Sequence, residues 1–123
     1  MTKEELKDRT KKFAIRVFKF LNTVEKSESS QVLIRQLLRS ASSVAANYRA
    51  ACRAKSKADF INKLKIVEEE LDESMFFLEL LIEFNPDHKS TIVNLWKEAN
   101  ELLSIIVASI LTLRRAIEGN RNS

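Results

Sequence analysis

Apolar residues recur every three or four positions through most of this chain, which is the spacing of one face of an α-helix. Four segments show the pattern, at about residues 3–24, 30–54, 57–84 and 88–118. Short connections make successive helices antiparallel. The pattern therefore predicts an all-α protein, an antiparallel up-down-up-down four-helix bundle forming a single domain over residues 1–118. Residues 119–123 are predicted to be a disordered tail.

Polar and helix-breaking residues mark the predicted helix ends. Ser29 or Ser30 can cap the second helix, and Ser56 can cap the third. The clearest breaker in the chain is Asn85-Pro86-Asp87, which separates the third helix from the fourth. Gly119 is placed as the C-terminal cap of the fourth helix.

The third and fourth helices carry more apolar residues than a core-facing stripe requires. Phe76 and Leu80 project among acidic residues, and Ile105, Val107 and Leu111 lie off the main stripe of the fourth helix. A small bundle buries one broad face of each helix, so the surplus favours contact with another subunit over ordinary scatter. The candidate oligomer-interface residues are Phe76, Leu80, Ile105 and Leu111.

The composition agrees with long helices and few turns. Gly and Pro each occur once, whereas a β protein needs many turns built from these residues. The single cysteine, Cys52, excludes an internal disulfide and fits a reducing cytosol. No apolar segment of the signal-peptide type is present, and the longest uncharged run falls short of the roughly 20 residues of a bilayer span. We expect a soluble, cytoplasmic protein with no membrane partner.

The net charge of +4 is unevenly distributed along the chain. Residues 1–65 hold 16 Lys and Arg against 6 Asp and Glu, whereas residues 66–123 hold 5 against 11. Such a division predicts an electrostatic front and back, or oppositely charged surfaces that meet between subunits. The alternative is that pairing between helices of one subunit cancels most of the asymmetry.

One side of the second helix carries a row of arginines, which we call the arginine row: Arg35, Arg39, Arg49 and Arg53. The row spans about 27 Å along the helix axis, and Lys55 and Lys57 continue it into the next connection. Guanidinium groups in such an array can contact several phosphates without reading sequence, and the binding would be salt-sensitive. The alternative partners are carboxylates of the third helix, Glu69, Asp72 and Glu73.

Three sequence blocks then resemble the signature of a known family: QLLRSASSVAANY at 36–48, SKADF at 56–60 and EELDES at 69–74. These blocks are similar to those of the four-helix bundle proteins encoded in intervening sequences of bacterial 23S ribosomal RNA genes. The resemblance covers about residues 13–113. Two positions depart from the family pattern, since Ala50 replaces a frequent acidic residue and Phe76-Phe77 replaces a frequent Trp.

The resemblance implies a bundle of four antiparallel helices assembled into a ring, typically a pentamer. The family is similar to the accessory protein of diversity-generating retroelements, a basic pentamer that works with a reverse transcriptase and nucleic acid. No definite biochemical activity is implied for the family at large. The missing acid at Ala50 makes the arginine row less neutralised locally.

Acidic pairs on the third and fourth helices are the only enzyme-like feature. Glu69 and Glu73 share a face, as do Glu98 and Glu101, and carboxylates on adjacent helices hold magnesium in all-helical nucleotide pyrophosphohydrolases. No Glu-x-x-His pair exists, and His88 is the only histidine, which argues against a di-iron site. A glycine-rich phosphate loop is absent. We predict no enzymatic activity, no catalytic residue, no metal and no cofactor.

Small and amide side chains fill the middle of the second helix. Asn47 is predicted to be a hydrogen-bond partner between helices. The small residues around it can permit a close helix crossing, at Ser40, Ser42, Ser43 and Ala46.

The sequence thus predicts a cytoplasmic homo-oligomer, with the pentamer favoured by the resemblance. Its predicted role is that of a non-catalytic scaffold or adaptor that binds RNA or DNA weakly through a basic face. The candidate nucleic-acid-binding residues are Arg35, Arg39, Arg49, Arg53, Lys55 and Lys57. The alternative is a purely structural or protein–protein interaction module, whose arginines are consumed by carboxylates.

Overall fold

The computed structural model describes the backbone of residues 1–122 and the side chains of residues 1–119. Within this part of the chain there are four α-helices, one 3₁₀ turn at Pro86–His88 and no strand. The helices are α1 (Lys3–Leu21), α2 (Glu28–Ala51), α3 (Lys57–Phe84) and α4 (Lys89–Asn122). The predicted all-α class with four helices is confirmed.

Each of the first three helices begins at a side-chain cap. Thr2 and Glu5 form a reciprocal capping box at the start of α1. The hydroxyl of Ser27 accepts a hydrogen bond from the Ser30 N–H (3.1 Å) and caps α2. The predicted cap at Ser29 or Ser30 is therefore wrong, because both residues already lie in the first helical turn. Ser56 caps α3 as predicted.

The predicted helix-breaking residues end α3 but not α4. α3 ends at Phe84, directly before Asn85 and Pro86, as predicted. α4 passes through Gly119, which does not have a positive φ, so the predicted C-terminal cap is wrong. Glycine favours a cap only where the chain turns into the left-handed region, and here it continues as helix. The predicted disordered tail at 119–123 extends outside the described side chains and stays a prediction.

The helices pack against their neighbours in chain order, and α1 also contacts α4. At one end of the bundle the Asn85 amide, just after α3, donates a hydrogen bond to Ser30 at the start of α2 (3.3 Å). At the other end the Lys3 ammonium, at the start of α1, lies 4.6 Å from the ring centroid of Phe60 at the start of α3. Helices of alternating direction bring their ends together in this way. α1 packs less extensively on α4 than on α2.

Apolar side chains from all four helices form one continuous core. On α2, Leu33, Leu37 and Val44 are buried, whereas Ile34 and Leu38 are half-buried. Arg35 lies nine residues from Val44, which is about 180° around the helix. Arg35 therefore lies almost opposite the buried face of α2.

Candidate nucleic-acid interface

Arg35, Arg39 and Arg49 lie on the outer surface of α2, and all three are exposed. Arg53 is also exposed, but it lies in the turn that follows, because α2 ends at Ala51 and not near residue 54 as predicted. The helix presents its three arginines outward because its opposite face is apolar and packs between α1 and α3. Arg35 and Arg53 form no ion pair in the described part of the chain, and neither does Arg49. Three guanidinium groups on this face are therefore available to an external anion.

Arg39 is the one member of the row that is paired within the subunit. Its guanidinium donates hydrogen bonds to the carboxylates of Glu73 and Glu70 on α3, the latter at 3.2 Å. The hydrogen bond to Glu73 raises the pKa of Arg39, and the charge of Glu70 adds to this effect. Of the acidic partners predicted for the row, only Glu73 is used, and Glu70 was not anticipated.

Arg49 borders a shallow cleft between α1 and α2. The cleft has a volume of about 470 Å³, and its floor on α2 is built from the small residues Ala45 and Ala46. Its α1 wall carries two lysines and two acids, Glu4, Lys7, Asp8 and Lys11. Lys7 pairs with Glu4 (3.2 Å), and Lys11 forms no ion pair among the described residues.

Lys11 was missed by the sequence analysis as a neighbour of the arginine row. The available signal was its position on the polar side of the first helix, but its proximity to Arg49 depends on the packing of α1 on α2. We call the arginine row together with Lys11, Lys55 and Lys57 the basic face.

Lys55 and Lys57 are exposed in and after the connection between α2 and α3. The acid nearest to these two lysines in sequence is Asp59, whose carboxylate is already hydrogen-bonded to other groups. Its carboxylate accepts hydrogen bonds from the Lys63 ammonium (2.8 Å) and from the backbone N–H of Lys55 (3.2 Å). These two interactions, with Lys63 the larger, lower the pKa of Asp59. The ammonium groups of Lys55 and Lys57 form no ion pair in the described chain.

The small residues of α2 separate into two groups. Ser40 is fully buried and accepts a hydrogen bond from the hydroxyl of Ser74 on α3 (3.0 Å), so it permits the close crossing that was predicted. Ser42 is exposed on the outer surface. The prediction for Asn47 is wrong, because its amide donates to the carbonyl and hydroxyl oxygens of Ser43 in the same helix (2.8 and 2.9 Å).

The acidic pairs face different neighbours. Arg9 of α1 holds Glu98 through two hydrogen bonds (2.7 and 2.9 Å) and also reaches Glu101 at 2.9 Å. Glu73 is turned towards α2, where it pairs with Arg39. The cleft between α3 and α4 is lined by the acids Glu68, Glu69 and Asp72, but α4 contributes only Leu103 and Val107. In residues 1–119 no group of three or more His, Cys, Asp or Glu side chains is arranged to hold a metal ion.

The four candidate interface residues differ in exposure. Phe76 is 52% exposed and Leu111 is 45% exposed. Leu80 and Ile105 are half-buried and pack against the edge of the core. Two of these four candidates, Phe76 and Leu111, are therefore largely in contact with solvent on a single subunit.

No helix in the described residues is long and apolar enough to cross a bilayer.

The chain is similar to a known protein family and to a solved structure. Residues 3–108 match the sequence model of a family described as the 23S rRNA-intervening sequence protein. A crystal structure from Bacteroides thetaiotaomicron, described as a protein with unknown function from the S23 ribosomal protein family, is 32% identical in sequence. The match covers 85% of this chain and 97% of that chain, with a TM-score of 0.78. No curated protein matches the chain.

Proposed function

The chain belongs to the 23S rRNA-intervening sequence protein family, and from this membership and its basic face we propose that it is a non-catalytic scaffold or adaptor. In this proposal it assembles into a homo-oligomer in the cytoplasm and binds RNA or DNA weakly, without reading sequence. The family resemblance drawn from residues 36–48 and the blocks after them is confirmed by the match.

The main support for nucleic-acid binding is that most of the arginine row is exposed and unpaired. Arg35 and Arg49 lie on the outer side of α2 and Arg53 lies just after its end; all three are exposed and have no carboxylate partner within the described chain. Phosphate contacts made by such side chains release counterions and supply sequence-independent affinity. The only aromatic residue of α2, Tyr48, is buried away from these arginines, so the helix places no ring among them on which bases can stack. The chemistry therefore favours the phosphate backbone as the ligand.

Self-assembly would strengthen a weak site of this kind. Exposed Phe76 and Leu111 support contact between subunits, and the family resemblance favours a pentamer. Each copy in a closed assembly repeats the same arginine row, so a long nucleic acid can contact several rows at once. A scaffold that holds an RNA or DNA strand needs no catalytic group for this role.

The test is fluorescence anisotropy with a short RNA and a short DNA over about 50 to 200 mM salt. We expect binding at the lower salt concentration, and a loss of roughly tenfold or more in the triple variant Arg35→Glu, Arg49→Glu, Arg53→Glu. The matched control reverses three exposed cations of α4, Lys89→Glu, Lys97→Glu and Arg115→Glu. Absence of binding at low salt, or an equal loss in the two triple variants, would overturn the proposal.

The second candidate function is a purely structural or protein–protein interaction module. The pairing of Arg39 with Glu70 and Glu73 favours it, because it shows that acids of α3 can consume the row. If neighbouring subunits repeat that pairing with the other three arginines, the assembled protein binds no nucleic acid. In that case the native protein shows no nucleic-acid binding, and the triple variant of the row forms a smaller assembly than the native protein.

A further inference from the structure

One end of the bundle is left open because α1 starts late relative to α4. Arg9 of α1 bonds Glu98 of α4, and α1 begins at Lys3, six residues before Arg9. In antiparallel helices these residues run beside the first six that follow Glu98. α4 continues to Asn122, and only Met1 and the first turn of α1, through Lys3 and Leu6, border its surface between Ile105 and Leu113.

An apolar groove occupies this position, which we call the end groove. It has a volume of about 540 Å³ and lies between the start of α1, the end of α2, the start of α3 and the second half of α4. Large apolar side chains of all four helices line it, among them Leu6, Tyr48, Phe60, Leu64, Ile105 and Leu113. Tyr48 and Leu64 are buried at its base, whereas Phe60, Ile105 and Leu113 are half-buried and keep part of their apolar surface open to solvent.

The rim of the end groove is cationic. A smaller adjoining cavity of about 280 Å³ shares Phe60 and Leu113 with it and is lined by Lys3, Lys55 and Lys57. None of these three lysines forms an ion pair in the described part of the chain. An apolar floor with a cationic rim is complementary to an apolar surface flanked by carboxylates.

The same chain presents such a surface on the last three turns of α3. Phe76 and Phe84 are 52% and 57% exposed, and Leu80 lies between them on the same side of the helix. Glu83 is exposed on this side and forms no ion pair among the described residues. We call Phe76, Leu80, Glu83 and Phe84 the acidic-aromatic face. It lies near Asn85 and Ser30, at the end of the bundle opposite the end groove.

We propose that the acidic-aromatic face of one copy docks in the end groove of the next copy. The two surfaces are different patches of one chain, so the contact is heterologous and repeats from copy to copy. Such a contact closes into a ring when the rotation between copies is a simple fraction of a turn. The inference rests on the self-assembly included in the proposed function, and it names the surfaces that carry it.

Charge reversal tests the contact by mass measurement in light scattering or sedimentation. Lys57→Glu and Glu83→Lys each place like charges at the contact, and each alone is expected to weaken assembly about tenfold or more. The two changes in one chain restore opposite charges and are expected to restore assembly. Both substitutions suit the helix dipole at their positions, so loss of folding does not explain a smaller mass. Lys97→Glu, on the outside of α4, is the control and is expected to leave the mass unchanged.

Disulfide trapping identifies the paired surfaces directly. In a Cys52→Ala background, Ala108→Cys lies in the end groove and Phe84→Cys lies on the acidic-aromatic face. We expect oxidation to link the two variants when they are mixed and to link neither variant with itself.

Three other results of these experiments would contradict the proposed contact. A protein that is monomeric at every concentration overturns both this inference and the proposed self-assembly. An oligomer that ignores the charge reversals and gives no mixed disulfide overturns the inference alone, and leaves the end groove to a different partner. Linkage within a single variant shows a symmetric contact and also overturns it.

Discussion

Ser40 illustrates how one small side chain sets the distance between two helices. It is fully buried, and its hydroxyl accepts from Ser74 across the α2–α3 contact at 3.0 Å. Both hydroxyls are thereby hydrogen-bonded, and no buried polar atom among the described side chains lacks a hydrogen-bond partner. A larger residue would have to displace α3, because interiors are packed to crystal-like density.

We therefore expect Ser40→Leu to lower the free energy of unfolding by about 1–3 kcal/mol or more, through overpacking and the loss of the hydroxyl that Ser74 binds. Ser42→Leu is the matched control, since Ser42 lies two residues away on the exposed side of α2, and we expect a change within about 0.5 kcal/mol. Denaturant unfolding of the two variants measures the difference. Equal effects would show that the close crossing does not constrain position 40.

Tyr48 is the buried ionisable group of the core. It is 3% exposed, and burial raises the pKa of its phenol, with a smaller contribution from neighbouring Cys52. The folded protein therefore keeps Tyr48 neutral at a pH where the unfolded chain has ionised it. A raised folded-state pKa contributes stability that is complete below the ordinary value of 10.0 and is lost as pH rises above it.

The variant Tyr48→Phe isolates this contribution. Between about pH 9 and pH 11 the native protein is expected to lose more stability than the variant, with a difference in slope of up to about 1.4 kcal/mol per pH unit. Denaturant unfolding across this range provides the measurement, and lysine titration is common to both proteins. Parallel stability profiles would show that Tyr48 ionises equally in the folded and unfolded chains.

Among the elements, α1 is the helix held by the least packing. It contacts α2 along its length, but it meets α4 over a smaller area. The Arg9 ion pairs bridge this sparse contact, with side-chain exposures of 24% for Arg9 and 17% for Glu98. The hydrogen bond to Glu98 raises the pKa of Arg9, so the guanidinium remains charged throughout the accessible range.

We expect Arg9→Ala to lower the free energy of unfolding by about 1–2 kcal/mol, because a partly buried charged hydrogen-bond pair is lost and Glu98 is left without its partner. The comparison is Lys12→Ala, which removes an exposed pair with Asp8 on the same helix and is expected to cost about 0.5 kcal/mol or less. Thermal or urea unfolding distinguishes them. Equal losses would assign the attachment of α1 to its apolar contacts alone.

How well the helices were predicted depended on the local signal at each end. Ser56 and Asn85-Pro86 bound α3 as expected, since capping and proline act over a few residues. α2 begins earlier than expected because Ser27, Ser29 and Ser30 are equally suited to capping in sequence. Gly119 failed as a stop because nothing in the sequence reports whether the chain turns there.

The position of most of the arginine row on α2 could be predicted from the sequence, but the side chains that neighbour it could not. A helical wheel places Arg35, Arg39 and Arg49 on one side of α2 because their spacing is a property of that helix alone. It does not place Arg53, because α2 ends at Ala51. The pairing of Arg39 with Glu70, and the proximity of Lys11 to Arg49, depend on how α2 is aligned with α3 and α1. That alignment follows from the packing of several helices, which no local spacing encodes.

At the scale of the whole molecule, the charge asymmetry of the sequence is largely kept on the surface. In the described residues, ion pairs between helices involve only Arg9 and Arg39 among the cations. Pairing between helices therefore cancels little of the positive charge on α1 and α2, and pairs within α1 involve Lys7 and Lys12. An anion approaching the arginine row meets mainly unpaired cations, since only Arg39 of the four forms an ion pair among the described residues.

Salt dependence gives this asymmetry a measurable size. If Arg35, Arg49 and Arg53 each contact a phosphate of duplex DNA, neutralising all three to Gln is expected to lower the magnitude of the log–log salt slope by about 2.7 per bound subunit. Titrations at several salt concentrations measure the slopes of native and variant protein. An unchanged slope would place the phosphate contacts elsewhere on the molecule.

The uneven packing of the four helices also bears on the order in which the chain folds. α2 and α3 are joined by a short connection, and their contact is the most extensive in the molecule. Contacts close in sequence cost little loop entropy, so this helical hairpin is suited to form early. α1, with its limited hold on α4, is suited to join late and to open first. We expect its backbone amides to exchange with solvent hydrogen sooner than those of α3, so the end groove would widen transiently before the rest of the bundle unfolds.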